Sequence, residues 1–361
     1  MKSTDTIRWG IVGTGMMALE HVANIKLTEN AVITAIADPV PACLDRAAAA
    51  IGGEVARFED AAGLAASGLC DAVVIASPNF THRAVLTPLM DAGLHILCEK
   101  PLCTTMDDAR AVADAARSYG PIFWTAMEYR FMPPVSEFVQ LVHAGKVGDL
   151  KTLSIREHRF PFLVKVGDWN RFVANTGGTM VEKCCHFFDL MRLVIGSEPV
   201  RVHCSGAMDV NHKDERYDGR TPDIIDNSYT TVDFANGARA MLDLNMFADG
   251  AQQQEEIIAV GDKARLDVLI PAGDLIHSPR VGFMNPKQAV RWHVETPAEA
   301  LAAGQHHGST FFQHQHFAKA VRGAGPVMVS ADDGLRAVAM GMAAEISARE
   351  HRVVTMAELG L

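Results

Sequence analysis

A glycine turn between an apolar hexapeptide and a helix-like segment constrains this chain more than any other feature. Ile7, Trp9 and Ile11 alternate along a short strand that stops at Gly13-Thr14-Gly15-Met16-Met17-Ala18, and Ala18, Val22 and Ile25 then share one helical face. Each position has a physical task. Gly13 permits a tight turn, Gly15 lets backbone N–H groups approach a pyrophosphate, and the small Ala18 lets the helix pack on a sheet. The motif alone is a weak signal, and its context strengthens it. A second strand, 32–37, ends at Asp38, where a carboxylate can hold a ribose diol.

The pattern then repeats. Residues 72–76 read as strand, 81–92 as helix, 94–98 as strand, a helix capped by Thr104 follows, and 122–126 read as one more strand. Such alternation predicts a doubly wound parallel sheet with ligands at the carboxyl ends of its strands. A chain of 361 residues exceeds one ordinary core and fits two domains, divided here as 1–126, a dinucleotide-binding α/β Rossmann domain, and 127–361, a substrate-binding α/β domain. In the second, strand-like 226–234 and 238–247 flank Asn236-Gly237, and 257–260 and 264–270 flank Gly261-Asp262. Both pairs read as hairpins, with 151–158 and 200–207 as further strands.

Charge narrows the function classes. A formal net charge of -10 with scattered Lys and Arg argues against nucleic-acid and anionic-membrane partners. Seven cysteines form no small-scaffold spacing, the start Met-Lys-Ser-Thr-Asp-Thr has no leader-like apolar run, and no stretch has the length of a membrane span. A soluble protein of the reducing cytoplasm is the expectation.

The chemistry concentrates in two places. Glu99-Lys100-Pro101 follows strand 94–98, which puts a lysine ammonium where a nicotinamide ring would lie. Glu182 and His186 stand four apart in a helix-like stretch and are expected on one helical face as an acid–base pair. The bland alternatives are a surface lysine paired with Glu99 and a core histidine beside Phe187 and Phe188. At Asp38 a 2′-phosphate would be repelled, so NAD is expected rather than NADP. No metal is expected. Cys184 and Cys185 lie too far round a helix to ligate together, and His306, His307, His314 and His316 read as a solvated loop entering a helix.

Taken together, the GxGxxA turn at 13–18, Ser77-Pro78-Asn79 with His82, Glu99-Lys100-Pro101, Tyr129-Arg130, and Gly177-Gly178 leading to Glu182 and His186 resemble the Gfo/Idh/MocA oxidoreductases over nearly the whole chain. The resemblance implies a C-terminal domain built on a large, mostly antiparallel open sheet that packs against another subunit, giving a homodimer or homotetramer. It implies a cis peptide at Lys100-Pro101 and cofactor contacts from Gly13, Thr14, Gly15, Met16, Met17, Asp38, Ser77, Asn79, His82, Glu99 and Lys100. Lys100 is expected to polarise a substrate hydroxyl and His186 to act as general base. Glu182 stands where the family carries aspartate, so its assisting role differs in reach.

Further substrate contacts are expected from Tyr129, Arg130, His158, Lys165, Trp169, Asn170 and Arg171, with packing as an equal reading for Trp169 and Arg171. The implied activity is NAD-dependent oxidation of a secondary hydroxyl of a sugar or cyclic polyol. The rivals are glycoside cleavage through transient oxidation and a non-catalytic dinucleotide-binding regulator. Lys183 has no assigned role.

Overall fold

The computed structural model describes residues 6–361, so the leader expectation for the first residues lies largely outside it. The chain forms two compact units. Among the described residues, the first comprises 6–128 together with 165–169 and 297–338, and the second comprises 129–164, 170–296 and 339–361. Both later segments of the first unit lie beyond the boundary drawn from sequence.

In the first unit, β1 (Ile7–Val12), β2 (Ala31–Ala37), β3 (Ala56–Phe58), β4 (Ala72–Ile75), β5 (His95–Cys98) and β6 (Phe123–Thr125) form a sheet ordered β3-β2-β1-β4-β5-β6. All its pairings are parallel, so the carboxyl ends of the strands share one edge. Helices α1 (Met16–Lys26), α2 (Pro41–Ile51), α3 (Ala61–Ala66), α4 (His82–Asp91) and α5 (Met106–Arg117) connect the strands. The short β3, α2 and α3 were not anticipated, because the alanine run 47–50 and three-residue strand carry little periodicity. Thr105, rather than Thr104, caps α5 by accepting from Asp108 N–H, contributing about 1 kcal/mol.

Segment 297–338 belongs to this unit because it completes the unit's core. On helix Ser309–Val321, Phe317 packs against Trp9 of β1 at 5.2 Å and Trp124 of β6 at 6.0 Å, all three fully buried. Burying a side chain of this size contributes roughly 1.5–3 kcal/mol. His314 lies on the same helix, fully buried against Trp9 and His21. This corrects the solvated-loop reading of the histidine cluster: the helix turns one of its histidines inward, and spacing alone did not show which.

The second unit contains α6 (Pro133–His143), β7 (Leu150–His158), α7 (Val173–Thr176), α8 (Thr179–Glu182), α9 (Cys185–Ile195), β8 (Pro199–Ala207), β9 (Asn227–Phe234), β10 (Arg239–Asn245), β11 (Glu255–Gly261), β12 (Ala264–Ile270), β13 (Asp274–Pro279), β14 (Val290–His293) and β15 (Val354–Thr355). Its nine-stranded sheet runs β14-β13-β12-β11-β7-β10-β9-β8-β15, parallel only between β7 and β10. Both anticipated hairpins are present, and Gly237 supplies the positive φ, 82°, that the β9–β10 turn requires. Alternate residues of β9 are buried (Ser228, Thr230, Val232, Phe234), while Tyr229 faces out and is 65% exposed. No helix of the described residues is long and apolar enough to cross a membrane. All seven cysteines are free and buried.

Candidate active site

At the carboxyl edge of the first sheet, Gly13 has φ +84°, and a Cβ there would lie 2.3 Å from the backbone N of Ser77. The β1 turn and the loop after β4 therefore touch backbone to backbone, which only glycine permits. Gly15 differs: it precedes α1, carries no side-chain cap, and a Cβ there would meet nothing within 4 Å. An open space in front of uncapped helical N–H groups suits a phosphate anion. Thr14 donates to Asp38 Oδ2 from its N–H (2.7 Å) and its hydroxyl (3.0 Å), while Val40 N–H donates to Oδ1. The end of β2 is thereby tied to the glycine turn, with the carboxylate held at the edge.

Asn79 follows β4. It is 7% exposed, and its Nδ2 is a buried donor with no hydrogen-bond partner among the described residues. An orphaned donor at this edge, together with the Gly15 opening, fits a dinucleotide that the chain itself does not imitate. Ser77 Oγ and Thr81 Oγ1 lie 2.7 Å apart. His82 is fully buried, with Nε2 3.2 Å from Ser77 O and Nδ1 3.0 Å from Pro101 O. Burial holds its imidazole below the ordinary histidine range. In the structure His82 braces the loops after β4 and β5.

Lys100 follows β5, half-buried, and its peptide bond to Pro101 is cis. Its backbone N–H donates to Glu99 Oε2 (3.2 Å), and Glu99 Oε1 lies 3.0 Å from His21 Nε2. His21 Nδ1 is 2.9 Å from His314 Nε2. Burial alone would raise the Glu99 carboxyl, but the hydrogen bond with His21 and the positive groups around it, Lys100 among them, together outweigh burial and hold the group below its usual range. Burial and the neighbouring His21 push His314 well down. With His314 neutral, its Nε2–H can donate to His21 Nδ1, and His21 Nε2–H to the Glu99 carboxylate. This array anchors the residue beside Lys100 and turns the Glu99 carboxylate toward α1.

Nearby, Glu20, Glu128 and His306 bring ligand-type atoms within 4.8 Å of one another. Thr310 Oγ1 lies 2.7 Å from Glu20 Oε1 and 2.6 Å from Glu128 Oε2. A hydroxyl has one proton, so two carboxyls at these distances need a second. Burial raises the Glu128 carboxyl, which favours that proton there, whereas His306, with hydrogen bonds from Thr310 and the Gln305 N–H, holds Glu20 low despite its burial. A protonated carboxyl, a hydroxyl and an imidazole satisfy one another here by hydrogen bonding alone. Sequence reading missed this group because its members are separated by 108 and 178 positions.

Apart from Lys165 and Trp169, the other candidates lie in the second unit. Gly177 and Gly178, at φ 78° and 96°, launch α8, and a Cβ on Gly178 would collide with the Glu345 side chain at 2.2 Å. Glu182 ends α8 and His186 sits in the first turn of α9, both buried. One continuous helical face was expected; the helix is instead broken at 183–184. The N–H groups of Lys183 and Cys184 both point at Thr179 O, and those of Phe187 and Phe188 at Cys184 O, so the ladder restarts there. The physical reason is Lys183, whose side chain enters the interior to meet Glu157 Oε1 at 2.9 Å and Tyr129 Oη at 2.6 Å. Tyr129 stacks on His186, with ring centroids 4.1 Å apart and planes at 7°.

Three expected substrate contacts are bound up in the structure. Arg130 forms a bidentate, buried ion pair with Asp189. Asn170 donates to Leu163 O at 3.0 Å, and Arg171, 2% exposed, donates to Glu215 Oε2 and Phe162 O, so both brace the 160–171 segment. Lys165 lies 6.0 Å above the Trp169 ring, which meets Phe80 edge-on at 6.3 Å. His158 Nε2 is 3.2 Å from Asp243 Oδ1. Lys183 and Asp189 lie within the stretch already singled out at 182–186 and beyond; a charge among Cys and Phe was their only sequence signal.

Comparison with known proteins identifies the class. A model of the oxidoreductase family with NAD-binding Rossmann fold matches residues 7–127, and the model of its C-terminal alpha/beta domain matches 139–356. The chain belongs to the Gfo/Idh/MocA oxidoreductase family and is an NAD-binding oxidoreductase. It is 25% identical to inositol 2-dehydrogenase of Rhizobium meliloti (strain 1021) over 98% of this chain and 100% of that one. It is 26% identical to myo-inositol 2-dehydrogenase of Thermotoga maritima over 98% and 99%. A solved levoglucosan dehydrogenase in complex with NADH has the same fold, with TM-score 0.85 and 20% identity over 97% of this chain and 99% of that chain.

Proposed function

We propose that this chain oxidises a secondary hydroxyl of a sugar or cyclic polyol, of the inositol or aldose type, with NAD as hydride acceptor. One observation carries the reading. The glycine turn, the Asn79 loop and Lys100 follow β1, β4 and β5, which are adjacent in the sheet, so anion opening, orphaned amide donor and ammonium line one edge. Full-length similarity to two inositol dehydrogenases supports the substrate class.

Bound NAD supplies the hydride acceptor. Gly15 and the first turn of α1 would hold its pyrophosphate, Asp38 a ribose diol, and Asn79 its nicotinamide side. Lys100 donates a hydrogen bond to the substrate oxygen and stabilises the charge that develops there as the C–H bond breaks. His186 takes the hydroxyl proton, and the carbon becomes a carbonyl. Glu182 assists by contacting a neighbouring hydroxyl, and Tyr129, His158, Lys165 and Trp169 contribute contacts. Arg130, Asn170 and Arg171 act as braces. The outward face carrying Tyr229 pairs with a second copy in a homodimer or homotetramer, and the buried thiols suit a reducing cytoplasm.

The test is a screen of purified protein with NAD or NADP against inositols, aldoses and anhydrosugars. NADH should form with at least one of them, and NAD should be preferred to NADP. Bound NADH with no turnover of any donor would favour a regulator, and glycoside cleavage without net NADH would favour the hydrolytic alternative. Light scattering should give a mass above that of one 39.0 kDa chain.

A further inference from the structure

We propose that Lys183 is a positioning residue for His186, acting through Tyr129; this rests on the reading of His186 as the proton acceptor. Three observations within the second unit converge on it. Lys183 is 4% exposed, on the two-residue break between α8 and α9, three residues before His186. Its Nζ donates to Tyr129 Oη at 2.6 Å and pairs with Glu157 Oε1 at 2.9 Å. The same Tyr129 lies flat on the His186 imidazole, at 4.1 Å and 7°.

The ammonium is enclosed. It sits 4.8 Å from the Tyr129 ring centroid and 5.5 Å from that of Phe187, the residue next to His186. The charged groups facing it are Glu157 and Arg159 at the end of β7 and Glu255 opposite Glu157 on β11. Burial, with Glu157 beside it, pushes the Glu255 carboxyl up to about 8, and of the two it is Glu157 whose oxygen pairs with Nζ. A buried lysine is costly unless it is paired, and its donors are directional. One donor fixes the tyrosine hydroxyl, and Phe187, which meets the Tyr129 ring at 5.7 Å with planes at 73°, limits its turning about the axis through that hydroxyl, so the ring presents its face at a restricted angle. The imidazole stacked on that face is then held against rotation. A base that must meet a substrate proton at hydrogen-bond distance gains from such restraint, because misplacement by about 1 Å can cost on the order of 100-fold.

The test uses the full chain with selectively labelled histidine. The His186 ring resonance is identified by its loss in His186→Asn, and turnover is followed with the best donor from the screen. Tyr129→Phe removes the hydroxyl and keeps the ring, while Lys183→Met removes the donor. Both should move the His186 ring signal and lower kcat at least about tenfold, leaving KM for NAD unchanged. Because they break the same bond, the double variant should be no worse than the poorer single. If Lys183→Met does not fold, with Glu157 left uncompensated, Tyr129→Phe carries the test alone. Folded variants with an unmoved His186 signal and undiminished kcat would overturn the inference. Turnover retained in His186→Asn would instead remove the general-base reading, and the ring signal would still report whether Lys183 fixes the imidazole.

Discussion

Alanine at Gly13 and alanine at Gly15 are the same change two residues apart, and the structure assigns them opposite consequences. At Gly13 the new Cβ meets Ser77 N at 2.3 Å and Ser77 Cα at 2.4 Å, backbone that cannot swing aside, and φ is +84°. The left-handed conformation costs about 1–2 kcal/mol, and forcing the β1 turn off the loop after β4 about 1–3 more, together roughly 2–5 kcal/mol. For a unit of the size of the first, each kcal/mol lowers Tm by about 2–4 °C, so Gly13→Ala should melt roughly 4–20 °C below wild type. At Gly15, φ is -73° and the Cβ meets nothing. A small N-cap loss is offset by reduced freedom of the unfolded chain, so Tm should stay within about 2 °C. The methyl nevertheless enters the space before the α1 N–H groups, and NADH should bind at least about tenfold more weakly, about 1.4 kcal/mol. Thermal unfolding by circular dichroism and fluorescence titration with NADH read the two effects separately. Wild-type NADH affinity in Gly15→Ala, or a wild-type Tm in Gly13→Ala, would refute the reasoning.

Other perturbations test the second unit. Asp189→Asn leaves the Arg130 guanidinium buried without its carboxylate and should cost about 3–5 kcal/mol in urea unfolding, whereas leucine at both positions should restore much of the loss. The Glu255 carboxyl has a folded-state pKa of about 8, above its unfolded value, so between the two the folded chain binds more protons and stability falls as pH rises. Glu255→Gln removes that slope. Its urea midpoint relative to wild type should rise between about pH 5 and about pH 8.5, and a constant difference would contradict the raised pKa.

Much of this architecture was legible before any coordinates. The strand–glycine–helix opening, the alternation through β6 and the Asn236-Gly237 hairpin are local patterns, and local patterns survive in sequence. Long-range partners do not. His314 looked like one of several histidines near a loop, yet it pairs with His21 across 293 positions, and Glu99 meets His21 across 78. The i, i+4 spacing of Glu182 and His186 suggested one helical face, and the break between them follows from a buried lysine whose partners, Glu157 and Tyr129, lie on other elements. Spacing likewise could not reveal that Asp189 pairs with Arg130 or that Glu215 pairs with Arg171. The buried Asn79 amide has no hydrogen-bond partner among the described residues, a property that only coordinates reveal.

The central proposal is that Lys100 and His186 serve one hydroxyl. A double-mutant cycle on kcat/KM measures it directly, using Lys100→Ala, His186→Ala and the combined variant, with NADH affinity checked in each. Each single change should lower kcat/KM by at least about 100-fold, and the combined variant should lose little more than the worse single, as groups acting as a unit do. Losses that multiply in full, or turnover that survives both changes, would contradict the account.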